Sequence, residues 1–212
     1  MSRAVLAMSL IVLGCWKNSP QEHGAFSNAE HASAMLDDPA RDAWQHPDDV
    51  VAALALTPAM TVADVGAGTG YFAVRLARAV PQGQVIATDL EPDMLRHLEE
   101  RARREQLSNL RAVAASRNAS GLAPSSVDAI LVVDVWHHLD DRANYARDLA
   151  AVLRPGGRVL VVDFKRDAHR GPPAHMRLEP EAIIADLAGA GLVAKLSAIT
   201  LPEQYMIEAK RP

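Results

Sequence analysis

The sequence predicts an α/β domain: a doubly wound, mainly parallel sheet of seven strands with helices on both faces and an antiparallel strand at the C-terminal end. Three observations carry that expectation. Short runs rich in Val, Ile and Ala alternate with longer amphipathic stretches, the pattern of parallel strands buried under crossover helices. A turn holding three glycines follows the first of these runs. The last two apolar runs stand too close together for a helix between them, which suggests an antiparallel ending.

The elements follow in order. Ahead of the sheet, "RDAWQHPDDVVAAL" (41–54) starts a helix with Pro47 at its first turn and acids beside it. Five runs read as buried strands: "MTVADV" (60–65), "QVIATD" (84–89), "LRAVA" (110–114), "VDAILVVDV" (127–135) and "GRVLVVDF" (157–164). Helices are expected between them over 71–80, 92–106 and 141–153, the last opened by a capping Asp141 and closed by "RPGG". A final helix, "PEAIIADLAGAG" (180–191), precedes the closing runs "LVAKLSAI" and "EQYMIEAK".

Composition limits the partners. A chain of 212 residues with 49% hydrophobic content forms one domain of ordinary size. Its net charge of −4, with no dense Lys/Arg block, removes the electrostatic reason to expect nucleic acid. The single cysteine, Cys15, excludes an internal disulfide framework and a zinc site built on several thiolates.

Residues 1–15 have the layout of an export signal: Arg3, an apolar stretch from Ala4 to Leu13, then Gly14 and Cys15. "VLGC" resembles a bacterial lipobox, which implies lipidation of Cys15 and attachment to a membrane of the cell envelope, on the periplasmic face. The other reading is an apolar N-terminus of a cytoplasmic protein. Residues 16–36 read as a polar linker, and 37–212 as the domain.

In an open α/β sheet, ligands bind beyond the carboxyl ends of the strands where the strand order reverses. The glycine turn stands at such an end, and glycine permits positive φ and close approach of backbone N–H groups to a ligand. Its spacing is G-x-G-x-G over Gly66, Gly68 and Gly70, and Tyr71 stands where a dinucleotide fingerprint needs its third glycine. That argues against a nicotinamide-binding oxidoreductase. "DVGAGTG" (64–70) resembles motif I of the class I S-adenosylmethionine-dependent methyltransferases. "VIATDLEPDML", "SVDAILVVDVWHHLDD" and "LRPGGRVLVVDF" are similar to that family's later motifs, in order, across about residues 60–165. The resemblance implies a Rossmann-like fold and S-adenosylmethionine as cofactor.

It also implies roles. The loop residues Gly66, Ala67, Gly68 and Gly70 would approach the cofactor. Asp89, about 20 residues after the loop, would accept the ribose hydroxyls, with Leu90 against adenine; without the loop it would read as a helix cap. Asp64 would help hold the methionine end, or else brace the turn. Asn118 stands where relatives often place the group that receives the adenine amine. Asp134, at the end of the fourth strand, is assigned to the cofactor site by position, with Trp136 as pocket wall or core.

Methyl transfer from a sulfonium is an in-line displacement, so the protein aligns the reactants and excludes water. His137 and His138, just past the fourth strand, are the candidate base or substrate-orienting residues; capping the next helix is the alternative. No metal is expected, because the spacings of Asp134, Asp163 and the nearby histidines match no metal motif. Arg41, Trp44 and His46 could form a lid. Lys165, Arg170, His175 and Arg177 would favour an anionic substrate if they converged. The expected activity is methyl transfer to a small molecule. A non-catalytic envelope lipoprotein using the fold as a binding module is the alternative, because S-adenosylmethionine is made in the cytosol. The absence of cysteines from the core disfavours arsenite methylation.

Overall fold

The computed structural model of the protein describes residues 35–212. The expected export signal, Cys15 and most of the expected linker lie outside the described residues. Among the described residues no helix is long and apolar enough to cross a membrane.

Seven strands form one sheet: β1 (Thr61–Val65), β2 (Gln84–Asp89), β3 (Leu110–Ala114), β4 (Val127–Val133), β5 (Leu153–Phe164), β6 (Val193–Leu196) and β7 (Gln204–Lys210). Their order is β3-β2-β1-β4-β5-β7-β6. β1 to β5 run parallel; β7 pairs antiparallel with both β5 and β6, which closes the sheet as the sequence predicts. After β3 the chain crosses back to pair β4 with β1, so strand order reverses between β1 and β4.

The helices are α1 (Asp42–Gln45), α2 (Pro47–Ala53), α3 (Tyr71–Ala79), α4 (Pro92–Arg104), α5 (Arg142–Val152) and α6 (Pro180–Gly189). Local chemistry explains their ends. Asp141 caps α5 by accepting a hydrogen bond from the Asn144 amide at 2.9 Å. α4 places Asp93 in its first turn and Arg101, Arg103 and Arg104 in its last, matching the helix dipole, and buries Met94, Leu98 and Ala102 along one stripe.

The sheet is apolar on both faces. Val62, Leu131 and Leu160 pack with Val50, Leu76 and Leu98 from α2, α3 and α4. Ala63, Ile130 and Val159 pack with Leu149 and Ile183 from α5 and α6. Neighbouring residues of β4 thus face opposite helical layers, the reason its sequence is apolar throughout rather than alternating.

Three boundaries differ from the sequence expectation. The helix expected over 41–54 is two short helices, because His46 takes a left-handed conformation (φ 46°, ψ 61°) ahead of Pro47; proline disfavours helical geometry in the residue before it. β4 stops at Val133, since Asp134 turns out of the strand at φ 60°. β5 begins at Leu153 and absorbs "RPGG", with a shift of register against β4 between Val127 and Ala129.

Candidate active site at the carboxyl ends of β1 and β4

A cavity of about 270 Å³ opens where the strand order reverses. Asp64 and the loop after β1 form its floor. Asp89, Leu90 and Met94 lie on one side, Asp134, Val135 and His138 on the other, and Leu36 and Arg41 close it from the N-terminal segment.

All three glycines of the loop have positive φ: 70° at Gly66, 54° at Gly68 and 90° at Gly70. A Cβ on Gly66 would stand 2.3 Å from Val135 Cγ2, and one on Gly70 2.8 Å from Leu98 Cδ2. Gly66 therefore lets β1 and the segment after β4 close up, while Gly70 lets α3 start against α4. The Gly66 and Ala67 amides donate to the Thr88 carbonyl at 2.8 and 2.9 Å, and the Gly68 amide donates to Asp89 Oδ2 at 2.8 Å. The loop is a backbone cradle fixed by β2.

Asp89 also accepts from the Glu91 amide through Oδ1 at 3.0 Å, so its carboxylate is held in place with a lone pair on each oxygen to spare. Burial raises its pKa above the ordinary carboxylate value. Asp64 is 3% exposed, and its Oδ2 is buried without a hydrogen-bond partner. Burial, reinforced by the Asp89 carboxylate, pushes its pKa up to about 7. An acceptor buried without a hydrogen-bond partner is costly.

On the other side, Asp134 is clamped by two amides: Gln204 Nε2 donates to Oδ1 at 2.5 Å, and Gln45 Nε2 to Oδ2 at 3.3 Å. Burial and the neighbouring Asp163 carboxylate raise its pKa to about 7, against the pull of Arg41 and His137.

The adjacent histidines part company. His137 is turned inward, 3% exposed at its side chain, with Nδ1 2.8 Å from Asp163 Oδ1. His138 lines the cavity on its exposed rim. Among the described residues no group of three or more His, Cys, Asp or Glu side chains is placed to hold a metal ion.

The structure thus brings Asp64, Gly66, Ala67, Gly68, Asp89, Leu90, Asp134 and His138 to one cavity. It does not bring Gly70, Asn118 or His137 to it. Gly70 caps α3. Asn118 is exposed, its carbonyl accepting from Asn144 Nδ2 at 3.2 Å, and Ser116 and Arg117 stand on the cavity wall instead. Trp136 is core: it is fully buried, and its indole donates to Asp186 at 3.1 Å.

In the N-terminal segment Arg41 lines the cavity and Gln45 is buried beside Asp134, whereas Trp44 and His46, the other expected lid residues, do not line it. Trp44 packs 5.9 Å from the Phe164 ring, and His46 pairs with Asp49 at 3.3 Å. Arg41 donates twice to Gln45 Oε1, at 2.9 and 2.6 Å, and lies 4.1 Å from the Tyr71 ring centroid.

Two of the cations in the loop after β5, Lys165 and Arg177, are engaged by backbone carbonyls and do not line the cavity. Arg177 donates to the carbonyls of Arg166, Ala168, Arg170 and Pro172, and Lys165 donates to the Leu201 carbonyl at 2.6 Å. Arg177 thus holds the loop's own backbone, and Lys165 ties the loop to the segment before β7.

Sequence reasoning missed Gln45, Gln204 and Tyr145. Glutamine carries no motif, and only the sheet order brings positions 45, 134 and 204 together. Tyr145 reads as an ordinary apolar position of α5, yet it also lines the cavity.

Comparison with known proteins agrees with this geometry. A family model described as a methyltransferase domain matches residues 62–157. The chain is 34% identical over 151 residues to the trans-aconitate 2-methyltransferase of Azoarcus sp. (strain BH72), covering 71% of this chain and 56% of that protein. It is 29% identical over 146 residues to the arsenite methyltransferase of Halobacterium salinarum, covering 68% of this chain and 37% of that protein. The chain therefore spans well under two thirds of the length of these curated relatives. An S-adenosylmethionine-dependent methyltransferase from Aquifex aeolicus shares the fold, with a TM-score of 0.78 at 24% identity over 92% of this chain and all of that one. The backbone cradle, the Asp89 carboxylate and the unpaired oxygen of Asp64 suit a ligand carrying a ribose and an ammonium group. On the family match and the fold together, residues 62–157 are similar to the methyltransferase domains of the class I fold, and the donor set suits S-adenosylmethionine as cofactor.

Proposed function

We propose that the protein transfers a methyl group from S-adenosylmethionine to a small molecule. The observation that carries this is the cavity at the strand-order reversal, where Asp64, the glycine cradle and Asp89 line one continuous surface. When bound, the cofactor supplies an electrophilic methyl group on a sulfonium. The chain's own residues do the rest. Asp89 accepts from the ribose hydroxyls, and Leu90 and Met94 offer apolar surface to the adenine. Asp64 accepts from the ammonium group, which satisfies its buried oxygen. Arg41 and Leu36 cover the cavity and keep water from the reacting atoms. His138, on the rim, orients the acceptor.

The acceptor in this reading is a small molecule, in keeping with the net charge of −4 and the lack of a dense Lys/Arg block to draw a nucleic acid. The relatives named for trans-aconitate and arsenite do not transfer their acceptors to this chain. Cys15 is the only cysteine, which weighs against thiolate binding of arsenic. For the N-terminal segment, which lies outside the described residues, "VLGC" supports lipidation of Cys15 and attachment in the cell envelope. Cys15→Ser should then abolish lipid labelling and release the protein from membranes; unchanged fractionation would refute the anchor.

The activity is tested by incubating the protein with isotopically methyl-labelled S-adenosylmethionine and a fractionated small-molecule extract. Labelled product together with S-adenosylhomocysteine is expected. Cofactor binding with no labelled product from any fraction would favour the reading as a non-catalytic binding module.

A further inference from the structure

Asp134 has a setting unlike that of the other carboxylates in the cavity. Asp89 accepts from loop amides and Asp64 is part of the floor, but Asp134 is held by two side-chain amides from distant elements, Gln45 of α1 and Gln204 of β7. Gln45 and Gln204 are both fully buried and bond to each other at 3.1 Å. Arg41 in turn fixes the Gln45 carbonyl oxygen, which leaves the Gln45 amide nitrogen to donate. Two amide donors stabilise an ionised carboxylate and fix its direction, while each oxygen keeps a lone pair. The carboxylate so held lines the cavity.

Its position along the cavity follows from the sheet. β2, β1 and β4 are adjacent, with Asp89 at the end of β2, the glycine cradle at the end of β1 and Asp134 just past β4. A ligand whose ribose lies on Asp89 and crosses the cradle reaches Asp134 with the atoms beyond its ribose.

We propose that Asp134 is the group that takes the proton from the methyl acceptor, and that the acceptor therefore presents a neutral hydroxyl or amine rather than a carboxylate. This rests on the methyl-transfer reading above. In the step, the acceptor's oxygen or nitrogen forms the bond to the methyl carbon. The carbon–sulfur pair stays on sulfur, which becomes a neutral thioether, and the acceptor's proton moves to Asp134, which becomes a carboxylic acid. A carboxylate substrate needs no proton removed and would be repelled by Asp134. Gln45 and Gln204 are positioning residues that keep the base aimed.

The charges acting on Asp134 are Arg41 from the N-terminal segment, Asp163 from β5 and His137 from the turn after β4. Its pKa near 7 leaves it largely ionised at mildly alkaline pH and protonated in acid.

The test needs no acceptor. Sinefungin carries an amine where the cofactor carries its methyl group, and S-adenosylhomocysteine carries neither. Calorimetric titration of the protein with both, from pH 5.5 to 8.5, reads the carboxylate facing that position. Sinefungin should bind roughly tenfold tighter than S-adenosylhomocysteine at pH 8.5, and the ratio should fall as pH drops through about 7. Asp64 affects both ligands alike, so its titration cancels in the ratio. Asp134→Asn should remove the preference and spare S-adenosylhomocysteine, since asparagine tolerates the positive φ at this position. A ratio that is flat with pH in the unsubstituted protein, or a preference kept in Asp134→Asn, overturns the proposal. Failure of S-adenosylhomocysteine itself to bind the unsubstituted protein overturns instead the methyl-transfer reading on which it rests.

Discussion

At the scale of the residue, Asp64 shows how a site can work against stability. Its pKa rises from the ordinary carboxylate range to about 7 in the folded chain. Between about pH 4 and 7 the folded state therefore binds more protons than the unfolded one, and the contribution of Asp64 to stability falls as pH rises through that window, then levels off. Asp64→Asn should stabilise the ligand-free protein at pH 8 by on the order of 2 kcal/mol, read as a higher melting temperature, and weaken S-adenosylmethionine binding. No gain at pH 8 would show that Asp64 is not strained by burial. A ligand ammonium reverses the effect by favouring the ionised form. Calorimetry at pH 6.5 in buffers of different ionisation enthalpy should record proton release on binding, and little release at pH 8.5. Gly66 is the steric counterpart. Gly66→Ala should cost about 1–3 kcal/mol through collision with Val135 and should be partly rescued by Val135→Ala, which removes Cγ2. Equal losses in the single and double variants would refute that contact as the cause.

At the scale of the element, the loop of residues 165–178 is organised by one side chain. Arg177 spreads its guanidinium over several of the loop's carbonyls, which a lysine ammonium cannot span. Arg177→Ala and Arg177→Lys should both speed amide exchange in this loop by roughly ten- to a hundredfold while leaving S-adenosylhomocysteine affinity unchanged. Protection retained in Arg177→Lys would contradict the account. The sequence anticipated every strand and the main helices, because periodicity and capping residues such as Asp141 are local signals. It did not anticipate the break at His46, the early end of β4 or the use of Arg177 on the loop's own backbone. Each of these depends on a single dihedral angle or on contacts between residues distant in sequence.

At the scale of the whole molecule, the N-terminal segment lies across the cavity through polar ties from several elements. Asp37 accepts from Thr69 at 3.0 Å and from Arg101 at 2.7 Å, and Asp42 accepts from Arg75 at 3.0 Å. Such partly exposed ties are each worth little, so the cover should open for ligand exchange. Asp37→Ala should speed S-adenosylhomocysteine release about threefold or more with little change in melting temperature; an unchanged release rate would mean that the segment does not gate the cavity. The loop-to-Asp89 half of the site was legible in the sequence, since "DVGAGTG" and the acid after β2 are close in the chain. The Gln45–Asp134–Gln204 half was not, because only the folded sheet assembles it. Whether the cavity at the strand-order reversal holds S-adenosylmethionine is read by calorimetric titration with S-adenosylmethionine, S-adenosylhomocysteine and NAD in parallel. Saturable binding of both adenosyl ligands and none of NAD is expected. Binding of NAD alone, or of none of the three, would contradict that expectation.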